Sequence, residues 1–193
     1  MLVGRLWLGI DIRQHGSGNI GMTNVMRAGG KGPGAVTFLL DFAKGAVAVV
    51  IARFGLSESG MELPELFTHY TLIGVVAVLG HVHSVFLGFK GGKGISTLFG
   101  VLAVLDFRVG LLVALIWVAV FIAKKISSLS SLVMLGCLPF MFVLVSGVSG
   151  QGINWTQTGL MLFLSLWLIY QHRQNIRRLL NGTEGTLKVQ GKR

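Results

Sequence analysis

Apolar runs long enough to cross a bilayer, separated by short polar segments, constrain this chain more than any motif does. A crossing helix needs roughly 20 mostly apolar residues, because the hydrocarbon layer is about 30 Å thick and a helix rises about 1.5 Å per residue. The candidate runs are Pro33 to Ala52, Thr71 to Phe89, Ile95 to Leu105, Val109 to Ala123, Ile126 to Val148 and Thr156 to Tyr170. The third and fourth are short. Asp106 and Arg108 divide them, and they read as a tight hairpin or a re-entrant pair. With 52% hydrophobic residues, 12% charged residues and a mean hydropathy of +0.73, the 193-residue chain carries more apolar surface than a soluble core of its size buries. The expectation is an all-α polytopic integral membrane bundle with about six crossing helices, forming one membrane-embedded domain over residues 1–193.

Charge placement orients the bundle. Threading the chain through these runs puts all of its 17 Lys and Arg except Lys44, Arg53 and Arg108 on one side, which the positive-inside rule makes cytoplasmic. The other side receives Arg53 and Arg108 with Glu58, Glu62, Glu65 and Asp106. A net charge of +10 would also suit a polyanion. Basic residues gathered on one face of a bilayer are instead matched by anionic headgroups, so no nucleic-acid partner is expected. Cys137 is a lone mid-span cysteine with no metal-ligand partner nearby. Leu6 to Ile10 is too short an apolar core for a cleaved signal, and Asn181 to Arg193 reads as a mobile polar tail.

Three polar clusters remain, all on the cytoplasmic side. The first runs from Gly16 through Ser17, Gly18, Asn19, Thr23 and Asn24 to Arg27. Its glycines fit a dinucleotide fingerprint by spacing, but no apolar strand precedes Gly16 and Asp41 lies within an apolar helical run, so that fold is rejected. What survives is a loop whose N–H groups can converge on an anion at a helix start, with Asn19/Thr23 and Asn24/Arg27 as two helical ridges and Arg27 as a bidentate phosphate fork. The second cluster is Lys90, Gly91, Gly92, Lys93 and Gly94. Gly94 follows Lys93 where a Walker loop needs Ser or Thr, yet glycine donors and lysines before a helix still make a phosphate cradle. In the third, helix continuing past Tyr170 would place His172, Asn175 and Arg178 on one face. Within the first run, Asp41 and Lys44 each cost about 2.5–3.5 kcal/mol at a lipid-facing centre, so they are expected inward as a pair. His81 and His83, two residues apart, do not share a helix face and read as polar lining rather than metal ligands.

In this order the segments GSGNIGMTNVMR, GHVHSVFLGFKGGKGIST and HRQNIRRLLNGTE resemble the three motifs of the bacterial acyl-phosphate-dependent glycerol-3-phosphate acyltransferases, the PlsY family. The resemblance implies transfer of a fatty acyl group from acyl phosphate to the 1-hydroxyl of sn-glycerol 3-phosphate. The products are lysophosphatidic acid and phosphate, in an early step of phospholipid synthesis at the cytoplasmic face of the inner membrane. It implies no cofactor and no metal, membrane lipid as surroundings, and a soluble PlsX-type enzyme as source of the acyl phosphate. By matching positions, Ser17 and Arg27 are needed for activity, Lys93 with Gly91, Gly92 and Gly94 binds glycerol phosphate, His172 and Asn175 complete the site, and Glu184 is structural. Family members carry Pro where Ser84 stands and Ala where Met22 stands. They also carry a full crossing helix ahead of the first motif, seven in all, whereas only Met1 to Ile10 precede Asp11 here, so the first helix reads as missing.

An acyl phosphate is already activated, so the chemistry asks for two anions held close, an oriented hydroxyl and a stabilised oxyanion. Ser17 and Asn19 are placed at the reacting oxygens, and His172 and Asn175 at glycerol phosphate. The base is either His172 or a substrate phosphate. The alternative from another class is a small anion transporter or channel lined by Asp41, Lys44 and the histidines; no internal duplication supports it.

Overall fold

A computed structural model describes residues 1–150 and 152–187. Its regular elements are α1 (Leu2–Leu8), α2 (Met22–Gly29), α3 (Lys31–Leu56), α4 (Leu63–Val82), α5 (Ile95–Leu105), α6 (Phe107–Lys124), α7 (Ser127–Val148), α8 (Trp155–Gln171) and α9 (Arg173–Leu180). No strand occurs among the described residues, and Lys188, Lys192 and Arg193 lie outside them. The chain is the all-helical membrane bundle its apolar runs call for.

Boundaries follow local chemistry rather than hydropathy alone. The second run starts at Leu63, not Thr71, because Pro64 suits a first turn where no N–H partner is needed. It ends at Val82 instead of Phe89, giving way to a 3-10 turn over Val85–Leu87. Asp106 separates α5 from α6, its carboxylate accepting from the N–H groups of Arg108 (3.0 Å) and Val109 (3.4 Å). Asn154 caps α8 by accepting from Gln157 N–H at 2.9 Å, while its amide donates to the Pro64 carbonyl at 3.0 Å. The last helix does not run on past the interface: it breaks at His172 and restarts as α9.

Four segments are long and apolar enough to cross a membrane: Lys31–Leu56, Leu63–Leu87, Phe107–Lys124 and Ser127–Val148. At 17 residues α8 falls just short, and at 11 residues α5 rises only about 16 Å, half of what a crossing needs. The short helix is the centre of the bundle. It packs against α3, α4 and α6, and its Leu98, Val101 and Leu102 are fully buried with Val78, Leu135, Leu138, Leu164 and Leu168. Two glycines bring α3 and α5 into backbone contact: a Cβ on Gly45 would strike the Thr97 carbonyl, and one on Gly100 the Phe42 carbonyl. Facing outward, Ile51, Phe54, Phe140 and Leu166 leave apolar surface to lipid.

Candidate active site

The loop before α2 is built around one amide. Asn24, 2% exposed, accepts from Ser17 N–H at 2.9 Å and donates to the carbonyls of Ile12 (3.1 Å) and His15 (2.8 Å). Gly16 and Gly18 take left-handed φ angles of 57° and 70°, and a Cβ on Gly16 would overlap the Asn24 side chain. At the loop's start the Asp11 carboxylate is clamped by the Arg13 guanidinium, at 2.6 Å from Nη2, which holds its pKa down to about 2. Asn19 lies ahead of α2 and accepts from Gly21 N–H at 3.0 Å, so it forms no helical ridge with Thr23. Thr23 instead meets Ser127, the first residue of α7, hydroxyl to hydroxyl at 3.0 Å.

Residues 183–187 cross over from α9 and tie the elements together. Glu184 accepts from Ser128 Oγ (2.6 Å), Asn175 Nδ2 (2.6 Å) and Arg178 Nε (2.5 Å). The Gly185 carbonyl accepts from Arg27 Nη2 at 2.9 Å, and Leu187 N–H donates to the Lys125 carbonyl at 2.9 Å. That stretch is therefore no free tail. Burial alone would raise the pKa of Glu184, but its three donors outweigh burial and hold it below the usual carboxylate range. Lys93 donates to Asn175 Oδ1. Burial lowers the Lys93 pKa to about 8, against the opposing pull of Glu184. His172, 2% exposed, has Nδ1 at 2.8 Å from the Leu168 carbonyl; burial first and the Lys93 charge second lower its pKa to about 4, leaving a neutral ring near pH 7.

These groups surround one cavity of about 550 Å³ with two unlike ends. Ser17, Asn19, Thr23, Arg27, Lys93, Ser127, His172 and Asn175 line the polar end. Phe38 and Phe42 of α3, on either side of Asp41, and Phe99 and Ala103 of α5 give the cavity an apolar arm, walled along one side by Phe107, Gly110, Leu111, Ala114, Trp117 and Val118 of α6. Those six recur at helical spacing on a single face of α6 and span about 16 Å of rise. Phe107 and Leu111 of that wall remain exposed.

The family model described as glycerol-3-phosphate acyltransferase matches residues 1–182. The chain belongs to the glycerol-3-phosphate acyltransferase family. It is 38% identical over 188 residues to the glycerol-3-phosphate acyltransferase of Thermosynechococcus vestitus, covering 96% of this chain and 86% of that one. Two crystal structures of PlsY (YgiH), an integral membrane glycerol 3-phosphate acyltransferase, superpose closely. The glycerol 3-phosphate form gives a TM-score of 0.80 at 36% identity and the lysophosphatidic acid form 0.79 at 35%, each covering 97% of this chain and 87% of the other. With its apolar helices, this chain is thus a multi-pass membrane acyltransferase, and the anion-carrier alternative falls away.

Within that family frame the structure sorts the sequence candidates. Ser17, Asn19, Thr23, Arg27, Lys93, Gly94, His172 and Asn175 meet at the cavity. Asn24 also reaches its wall, but its amide is committed to shaping the loop. Gly16, Gly18, Gly91 and Gly92 set backbone paths from behind the lining, Arg178 is turned to Glu184, and Lys90 is exposed away from it. Sequence reasoning missed Ser127, Ser128 and the aromatic wall of α3. The signal for the serines was available: two hydroxyls at a helix start, one residue beyond Lys124 and Lys125.

Proposed function

We infer that this chain transfers a fatty acyl group from acyl phosphate to the 1-hydroxyl of sn-glycerol 3-phosphate, at the cytoplasmic face of a bacterial inner membrane. One observation carries the reading: a single cavity joins a polar end holding Arg27 and Lys93 to an apolar arm along α6. A substrate pair with two phosphates and one long hydrocarbon tail matches that division. The glycerol 3-phosphate and lysophosphatidic acid forms of the similar PlsY structures support the acceptor and the product.

In the reaction, the hydroxyl oxygen bonds to the acyl carbonyl carbon and the bond from that carbon to the phosphate oxygen breaks, inorganic phosphate leaving with the electron pair. Arg27 offers a planar fork to one phosphate and Lys93, buried beside Asn175, a point charge to the other. Ser17 and Asn19 orient the reacting oxygens. The hydroxyl proton goes to a substrate phosphate, because a phosphate monoester has its second pKa near 6, about two units above that of buried His172. His172 and Asn175 then position glycerol phosphate, with Asn175 held by Glu184 and holding Lys93 in turn. The acyl phosphate is delivered by a soluble PlsX-type enzyme.

Purified protein in detergent, supplied with acyl phosphate and labelled glycerol 3-phosphate, should release labelled lysophosphatidic acid and phosphate, and acyl-CoA should not replace the donor. Product from acyl-CoA alone would overturn the donor assignment. No product from either donor would overturn the whole reading.

A further inference from the structure

Of the two charges inside α3, Lys44 is exposed rather than turned inward, and Asp41 alone reaches across the bundle. Lys44 Nζ donates to Asp41 Oδ1 at 2.6 Å, and the same oxygen lies 3.6 Å from His81 Nδ1 in the last turn of α4. The His81 side chain is 5% exposed. Its other edge meets the glycine loop: a Cβ on Gly92 would overlap Nε2, and one residue earlier the Gly91 N–H donates to the Val82 carbonyl at 2.9 Å. Lys93 comes next in the chain, and Asp41, His81 and Lys93 line the same cavity.

A loop with glycine on both sides of its lysine has wide backbone freedom, so its aim has to be fixed from outside. We propose that Asp41 and His81 are a positioning pair for this loop, Asp41 fixing the imidazole and the imidazole fixing Gly92, so that Lys93 and the loop N–H groups face the acceptor's phosphate. At 3.6 Å the carboxylate lies beyond hydrogen-bond reach of Nδ1 and restrains the ring by its field and by packing, and a misplacement of about 1 Å caused by a remote change can cost about 10²-fold in rate. The inference rests on the reading that this loop takes glycerol phosphate. It gives Asp41, the charge on α3 that faces the cavity, a role in acceptor affinity.

Calorimetric titration of sn-glycerol 3-phosphate into the full chain in detergent decides it, with turnover of acyl phosphate measured in parallel. Asp41→Asn keeps the side chain's shape and should raise the Kd about tenfold at an unchanged unfolding temperature. Gly92→Ala should weaken binding in the wild-type background, yet add little once His81→Ala has removed the ring that its methyl would strike. Wild-type Kd in folded Asp41→Asn, or the same penalty for Gly92→Ala with and without the ring, would overturn the positioning role. A wild-type chain that binds glycerol phosphate but consumes no acyl phosphate would sink the donor reading, while the ranking of affinities would still decide this inference. Absence of wild-type binding would overturn both.

Discussion

A lysine taken out of water and paired with a neutral amide gives up its proton more readily than one in solvent, and Lys93 with its pKa near 8 is in that position. Loss of the proton removes the charge that receives a phosphate, so kcat/KM for glycerol 3-phosphate should fall as pH rises through about 8. A pH profile of the free enzyme's kcat/KM checks this; an alkaline limb first appearing near pH 10 would contradict it. Arg27 makes one hydrogen bond to the Gly185 carbonyl and presents its fork at the cavity. Arg27→Ala should lower kcat by about 10²–10³, as loss of a preorganised donor does, and Arg27→Lys should recover little because the fork is lost. His172→Gln should keep turnover within about tenfold, whereas loss of a true general base costs about 10²–10⁴. At this scale the sequence showed which residue types gather, since Ser17, Arg27, Lys93 and His172 sit in recognisable clusters. It did not show that Asn24 spends its amide on the carbonyls of Ile12 and His15, because those partnerships depend on a turn no spacing rule encodes.

Helix starts and breaks decide where those residues point. With Pro64 in its first turn, α4 begins at Leu63, eight residues ahead of its apolar run, and the break at His172 turns α9 so that Asn175 reaches both Lys93 and Glu184. Hydropathy registers neither event, because the first two turns of α4 mix Leu63, Leu66 and Phe67 with Pro64, Glu65 and His69, and the break leaves no Pro or Gly in the sequence. The close approach of α3 and α5 is equally silent: Gly45 and Gly100 read as ordinary small residues until their Cβ positions are found to be filled by Thr97 and Phe42 carbonyls. Gly100→Ala should therefore force the helices apart. An overpacked contact costs about 1–3 kcal/mol, and each kcal/mol moves the unfolding temperature of a chain this size by about 2–4 °C. Thermal unfolding in detergent measures the effect; an unchanged Tm would mean that the two backbones are not in contact.

For the molecule as a whole, the apolar runs dictated a membrane bundle, and the one-sided charge gave the expectation that all three clusters share a face. The two-ended cavity was not legible, because its apolar arm is assembled from α3, α5 and α6, whose lining positions look the same in sequence as lipid-facing ones. Phe99 and Ala103 become lining only because α5 is too short to cross and lies at the centre. If the arm holds the acyl chain, small residues along it set how much chain fits. Ala114, midway along the lining face of α6, is the position to fill.

Turnover of an acyl phosphate series of increasing chain length therefore tests the two-ended cavity most directly, comparing wild type with Ala114→Phe. Each buried methylene contributes about 0.8 kcal/mol, roughly fourfold in kcat/KM, until the arm is full. Wild type should climb with chain length to a plateau, and Ala114→Phe should reach its optimum at a shorter chain with the KM for glycerol 3-phosphate unchanged. A flat dependence on chain length, or an equal loss for every donor in Ala114→Phe, would contradict a cavity that holds the headgroups at one end and the tail along α6.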